Sequence, residues 1–201
     1  MKVIGLTGGI GSGKSEVSRT LAELGAQIIN ADQVGYEAYL PHTKGWQAVT
    51  EAFGREILQP NEEVDRRKLG SIVFGDPGKL ALLNSLLHPI MYTMIEERLN
   101  RMRAEGVAVA VVEAAILIEG GWQPLVDELW AVQASIEQVV SRVQARNGLP
   151  EEQIRARIRS QMSAEERAKH AQVVIPNDGS LDDLRRRVQE QWRSRVEGRK
   201  R

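Results

Sequence analysis

Near the amino terminus, Gly8, Gly9, Gly11 and Gly13 lead into Lys14 and Ser15 through the stretch TGGIGSGKS. Gly8, four intervening residues and then Gly13-Lys14-Ser15 is the spacing of a phosphate-binding loop. Such a loop doubles back on itself, which requires glycine conformations, so that successive backbone N–H groups, including that of Ser12, converge on phosphate oxygens. A helix starting near Lys14 presents the positive end of its dipole to the same anion. In this reading Lys14 reaches the β- and γ-phosphates, the Ser15 hydroxyl ligates Mg²⁺, and Glu16 follows in the first helical turn. The alternative is a glycine-rich turn that binds nothing, and the apolar Val3, Ile4 and Leu6 before it and the helical pattern Val17, Leu21, Leu24 after it argue against that.

Two acids follow short apolar runs. Asp32 comes just after QIIN (27–30), where it is either a carboxylate that accepts a proton from an attacking hydroxyl or the N-cap of a helix begun by Gln33. Glu113 ends VAVAVVE (107–113), where it holds Mg²⁺ or its water shell, or serves as a cap or ion-pair partner. Arginines form a second set. Arg142 and Arg146 share a helix face, Asn147-Gly148 stops that helix, and Pro150 starts another that carries Arg155, Arg157 and Arg159. Guanidinium groups on such a hairpin can fold over a transferring phosphoryl group, a role assigned here to Arg142, Arg146 and Arg157; others pair with Glu151, Glu152 or Glu165. Arg66, Arg67 and Lys68 form a small basic cluster, either phosphate-facing or a solvated helix face, and His88-Pro89 stands alone and reads as structural.

These residues need a frame to hold them. QIIN, Val107–Glu113, Leu129–Val132 and Gln172–Ile175 join the first strand in an α/β, parallel, doubly wound five-stranded sheet flanked by helices, whose ligands collect beyond the carboxyl ends of the strands. Between residues 40 and 106 glycines and prolines divide the chain into short helices (Trp46–Phe53, Arg66–Phe74, Lys79–Leu87, Ile90–Met102), an inserted helical subdomain suited to an acceptor. The predicted core is 1–39 with 107–201, and the lid spans 140–165. Leu181–Trp192 forms a last amphipathic helix, and Arg193–Arg201 a frayed, exposed basic tail.

Composition sets outer limits. The 201 residues are 42% hydrophobic, enough for one domain with an insertion, and 27 basic against 27 acidic side chains leave no global field toward nucleic acid or anionic membrane. The lack of cysteine excludes disulfides, thiolate metal sites and a thiol nucleophile. No apolar run approaches the roughly 18 residues that span a bilayer, and a cytoplasmic protein is expected.

Taken together, GLTGGIGSGKS, NADQ, VDRRKLGSIVF, LHPI, EAAILIE, ARNG and ARIRSQM resemble, in order and along nearly the whole chain, the dephospho-CoA kinases, P-loop kinases that phosphorylate a small acceptor. The resemblance implies Mg²⁺-dependent transfer of the ATP γ-phosphate to the ribose 3′-hydroxyl of dephospho-CoA, the last step of coenzyme A synthesis, with the 40–106 insertion closing over the acceptor. Asp32 matches the second Asp of the family's DAD element and becomes the base; Asn30 replaces the first. His88 matches an acceptor-side HP element, Arg142, Arg146, Arg157 and Gln161 match lid positions, and Arg66 and Glu113 fall on the acceptor side. Glu16 stands where the family usually has Thr, and Glu113 where it tends to have Asp. Neither nucleic acid nor membrane is an expected partner, and the chain is expected as a monomer or weak homo-oligomer. Two rivals remain: another small-molecule or nucleotide P-loop kinase, and a non-catalytic nucleotide-dependent switch. The DxxG of Asp32–Gly35 suits a switch, but no NKxD follows it.

Overall fold

Residues 1–198 are described by the computed structural model. In chain order they form β1 (Lys2–Gly8), α1 (Lys14–Glu23), β2 (Gln27–Asn30), α2 (Ala31–Ala38), α3 (Lys44–Phe53), α4 (Arg66–Val73) and α5 (Pro77–Ala104). There follow β3 (Val109–Glu113), β4 (Glu128–Gln133), α6 (Ile136–Asn147), α7 (Glu151–Arg159), α8 (Ala164–His170), β5 (Val173–Pro176) and α9 (Leu181–Trp192). The five strands make one sheet in the order β2-β3-β1-β4-β5, and β1 pairs in parallel with both β3 and β4, as β4 does with β5. With β1 central, the strand order reverses beside it, and the crevice beyond its carboxyl end is where such sheets bind ligands.

The chain divides into two compact units, Met1–Ile29 with everything from Met102 onward, and Asn30–Arg101. In the first, Ile4, Leu6, Val111, Trp130, Val132 and Ile175 cover one sheet face and meet Val17 and Leu21 of α1 and Leu184, Val188 and Trp192 of α9. The opposite face is equally tight. A Cβ on Gly5 would lie 2.9 Å from Leu117 and 3.0 Å from Leu129, so β1 accepts only glycine there without repacking. The hairpin of α6 and α7 has a small core of its own, Val139, Val140, Val143 and Ile154, onto which Ile10 of the glycine loop packs. Gly148, at φ 65°, closes α6 in the left-handed conformation that glycine adopts without strain.

The second unit is helical, and it begins at the end of β2 rather than at residue 40. The cause is packing: α2 lies on α3, and Gly45 approaches the Ala38 carbonyl so closely that any side chain would collide with it. Arg98 of α5 pairs with Glu37 of α2. Two expectations fail here in an instructive way. Residues 79–87 and 90–102 are one helix, α5, which runs through Pro89. An interior proline costs about 3 kcal/mol, whereas burying Leu87, Met91, Ile95 and Leu99, four residues apart on one face, contributes about 1.5–3 kcal/mol for each. Pro89 and Ser85 are exposed, so the carbonyl that loses its partner faces water.

The expected frayed tail is likewise ordered in part. Arg193–Glu197 continues as a wide helical turn, the Trp192 indole donates to Glu197, Lys2 donates to the Arg195 carbonyl at 2.8 Å, and Val196 packs against the core. Residues 199–201 of that tail lie outside the described residues. Among the described residues no helix is long and apolar enough to cross a membrane.

Candidate functional site

The glycine loop joins β1 to α1, and its glycines are required individually. Gly11 and Gly13 have φ of 67° and 101°, and a Cβ on Gly13 would strike the Asn177 side-chain amide. A Cβ on Gly8 would sit 2.7 Å from the Val132 carbonyl. No side chain caps α1 at Gly13, which leaves the first turn open to an anion. The Lys14 ammonium lies back along the loop, donating to the Gly8 carbonyl at 2.8 Å and Gly9 at 3.3 Å. Ser15 is exposed on the first turn of α1. Buried Ser12 Oγ meets no partner among the described residues.

Beside the start of α1 is a cavity of about 340 Å³ lined by Gly13, Glu16, Arg142, Asn177, Gly179, Leu181 and Leu184. Arg142 Nη1 is buried there without a hydrogen-bond partner among the described residues, and Nη2 has only a long 3.5 Å contact to Asn177. An unsatisfied buried guanidinium nitrogen is costly and marks a place for an incoming acceptor atom. Asn177 is the residue that sequence reasoning missed: 6% exposed, it donates to the Ser12 carbonyl at 2.8 Å and ties the loop after β5 to the glycine loop. The PND run directly after the last strand was its only signal. Next to it, the Ser135 backbone N–H donates to Asp178 at 2.7 Å and holds that carboxyl below its ordinary pKa. Glu16 would repel a polyphosphate if left alone. Arg185 of α9 reaches one of its oxygens at 3.0 Å and Arg19 the other at 2.7 Å, which neutralises it.

A second cavity, about 730 Å³, lies between Gly9, Ile10 and Ser12 of the loop and Ser135, Val139, Ile158 and Gln161. It is roomier but is not lined by Arg142, whose buried, unpartnered nitrogen belongs to the smaller one. Gln161 accepts the Ile10 N–H at 2.8 Å, which sets it against the glycine loop. Arg146 and Arg157 are exposed; Arg146 donates to the neighbouring Asn147. Arg155 makes the expected pair with Glu151 at 2.7 Å. Glu113, 9% exposed, sits opposite Leu6 at the end of β3, one strand from the root of the loop. Among the described residues no group of three or more His, Cys, Asp or Glu could hold a metal ion. The residues present are compatible with Mg²⁺, which takes several ligands from phosphates and water, and Ser15, exposed on the first turn of α1, is placed to offer a hydroxyl.

In the helical unit, Asn30, Asp32, Gln33, Tyr36 and Arg66 line an open hollow of about 640 Å³. Asn30, not Asp32, is the N-cap of α2, its Oδ1 accepting the Gln33 N–H at 3.1 Å. Asp32 is therefore an exposed carboxylate in the first turn with no capping duty. Asp65 caps α4 through the Lys68 and Arg67 N–H groups, and those bonds outweigh the opposing effect of lost hydration and keep its carboxyl below the usual range. The Arg66 guanidinium lies 5.7 Å from the Tyr36 ring centroid, while burial raises the Tyr39 hydroxyl pKa and Arg66 counters part of that rise. Burial lowers the His88 imidazole from its ordinary 6.5, so His88 is neutral near pH 7 and brings hydrogen bonding rather than charge.

Comparison with known proteins agrees with this arrangement. A family model described as dephospho-CoA kinase matches residues 2–183. The dephospho-CoA kinase of Geobacter sulfurreducens is 46% identical over 97% of this chain and 99% of its own length, and that of Dehalococcoides mccartyi 41% over 98% and 99%. Among solved structures, dephospho-CoA kinase from Campylobacter jejuni superposes with a TM-score of 0.74 at 25% identity, covering 99% of this chain and all of the other. A shikimate kinase from Acinetobacter baumannii shares the fold alone, at TM-score 0.57 and 15% identity over 100% of this chain and 96% of the other. With a family match spanning most of its length and relatives above 40% identical over nearly all of it, the chain belongs to the dephospho-CoA kinase family.

Proposed function

We propose that this protein transfers the γ-phosphate of ATP to the ribose 3′-hydroxyl of dephospho-CoA, yielding CoA and ADP, the closing step of coenzyme A synthesis. The reading is carried by one observation in a member of this family: the open first turn of α1 beside the buried, unpartnered Arg142 Nη1. Backbone amides of the Gly8–Ser15 loop and Lys14 bind the β- and γ-phosphates, and Arg142, with Arg146 from the exposed side of the lid, meets the nucleotide. Ser15 would hold a Mg²⁺ ion, which when bound would supply positive charge that offsets the charge of the phosphates. Asp32 accepts the proton of the 3′-hydroxyl, whose oxygen forms a bond to the γ-phosphorus as the bond to the β–γ bridging oxygen breaks and its electron pair leaves with ADP. Arg66, His88, Glu113, Arg157 and Gln161 orient the acceptor; Gln161, which holds the glycine loop here, reaches it when the lid closes. The helical unit, Asn30–Arg101, is the acceptor-binding insertion.

Coupled measurement of ADP formation, with dephospho-CoA present and absent, tests this directly. Acceptor-dependent ADP release is expected. Release with shikimate, nucleosides or nucleotides but not dephospho-CoA would assign another kinase activity, and acceptor-independent behaviour would favour a switch.

A further inference from the structure

Arg167 is 1% exposed, a buried guanidinium that none of the roles above employs. Nη1 donates to Thr7 Oγ1 and to the Ala115 carbonyl, both at 2.8 Å, and Nη2 to Glu119 at 3.1 Å and the Met162 carbonyl at 3.3 Å. Both terminal nitrogens are engaged, so the group is not a vacant anion site. Its position is informative. Thr7 is the last residue before Gly8, and Ala115 comes two residues after Glu113. The β1–β3 ladder ends where the Ala114 N–H donates to the Leu6 carbonyl at 2.9 Å. Beyond that rung, among the described residues, the Thr7 hydroxyl, 3.3 Å from the Ala115 carbonyl, joins the two segments directly, and Arg167 binds both of its ends.

We infer that Arg167 is a positioning residue of the phosphoryl transfer: it fixes the root of the phosphate loop against the segment following Glu113, one rung past the end of the sheet. This rests on the kinase reading. The rigidity is shared with the lid, because Met162 follows Gln161, which accepts the Ile10 N–H. Residues 161–167 thus grip the loop at Ile10 and at its root. A planar fork can bridge Thr7 and Ala115 while reaching Glu119; a lysine ammonium keeps the charge but cannot span all of these.

The test is a kinetic cycle of Arg167→Lys, Thr7→Val and Thr7→Ser in the full chain, with Tm measured beside kcat and KM. Arg167→Lys is expected to lower kcat by about tenfold or more while KM for ATP stays within about threefold, the pattern of a misplaced but still binding site. Thr7→Val should show the same split, Thr7→Ser should retain kcat, and the Arg167→Lys/Thr7→Val pair should lose little more than either alone. An Arg167→Lys enzyme with lowered Tm but unchanged kcat per folded molecule would overturn the role, as would losses that multiply in the pair. Should Arg167→Lys not fold, Thr7→Val decides, and unchanged kcat there overturns the inference. An unmodified chain without dephospho-CoA-dependent ADP release would sink the kinase reading itself, a different result from an active chain indifferent to Arg167.

Discussion

Asn30 and Asp32 lie two residues apart and take different tasks because of where α2 begins. Asn caps a helix about as well as Asp, so the Asn that replaces the family's first DAD aspartate keeps the bond to the Gln33 N–H and gives up only a charge. The carboxylate left over, Asp32, does not cap the helix. Asp32→Asn is expected to lower kcat by about two orders of magnitude or more with ATP affinity retained, measured by steady-state kinetics beside nucleotide titration; near-normal turnover would remove Asp32 from the mechanism. Asn30→Ala should instead cost about 1 kcal/mol of stability by denaturant titration. Glu16 supplies a third case. Its acceptability in the cavity beside the glycine loop, the proposed nucleotide site, depends on Arg185 and Arg19, so Arg185→Ala should raise KM for ATP several-fold, and the added change Glu16→Thr should restore it. If Glu16→Thr leaves the Arg185→Ala defect intact, charge compensation is not what Arg185 provides.

At the scale of elements, α5 is decided by its buried stripe rather than by its proline. Pro77 and Asp76 start it well: proline suits a first helical position, and Asp76 Oδ1 accepts the N–H groups of Gly78 and Lys79 at 2.9 and 3.1 Å. Pro89 merely interrupts one exposed hydrogen bond. Pro89→Ala, which restores a donor toward Ser85, is therefore expected to raise Tm by a few degrees, up to the roughly 3 kcal/mol an interior proline costs. A fall in Tm, followed by thermal unfolding at fixed pH, would show instead that α5 needs a bend there. The α6–α7 hairpin is the opposite kind of element. Its core is four buried side chains with Ile10, Ala134, Leu149 and Ile158 packed against them, and most of its arginines face solvent, which suits the proposed lid.

Over the whole molecule, Lys2 and Arg195, from opposite ends of the described residues, meet at Glu128. This carboxylate is 5% exposed at the start of β4, and it takes Lys2 at 2.8 Å, the Trp130 indole at 3.0 Å and Arg195 at 3.7 Å. Burial alone would raise its pKa from 4.5, but Lys2, Trp130 and Arg195 together outweigh burial and lower it. A carboxyl whose folded pKa is depressed adds stability that is fully present above the unfolded value near 4.5 and is lost as pH falls through the folded value. Thermal unfolding between about pH 7 and pH 3 should thus show Tm of the unmodified chain dropping more steeply below about pH 4.5 than that of Glu128→Gln. Parallel curves would mean that Glu128 contributes nothing to acid sensitivity. The same network explains why Arg193–Glu197 is ordered: a buried acid at a strand end recruits the chain terminus as a partner.

Much of this protein was legible in its residues before any coordinates. The glycine spacing points to a phosphate loop because glycine adopts φ of 67° and 101° at Gly11 and Gly13 without strain, and β-branched runs covered on both faces demand a parallel sheet, so β1 to β5 fall where their apolar stretches predict. What only the tertiary structure decided are partnerships between residues far apart in the chain. Asn177 against Ser12, Arg185 against Glu16, Arg167 against Thr7 and Arg195 near Glu128 each join groups separated by more than sixty residues, and no local periodicity encodes such a pair. The course of α5 through Pro89 belongs with them, since a local breaker yields only when a buried face outweighs it, and burial is settled by the rest of the fold.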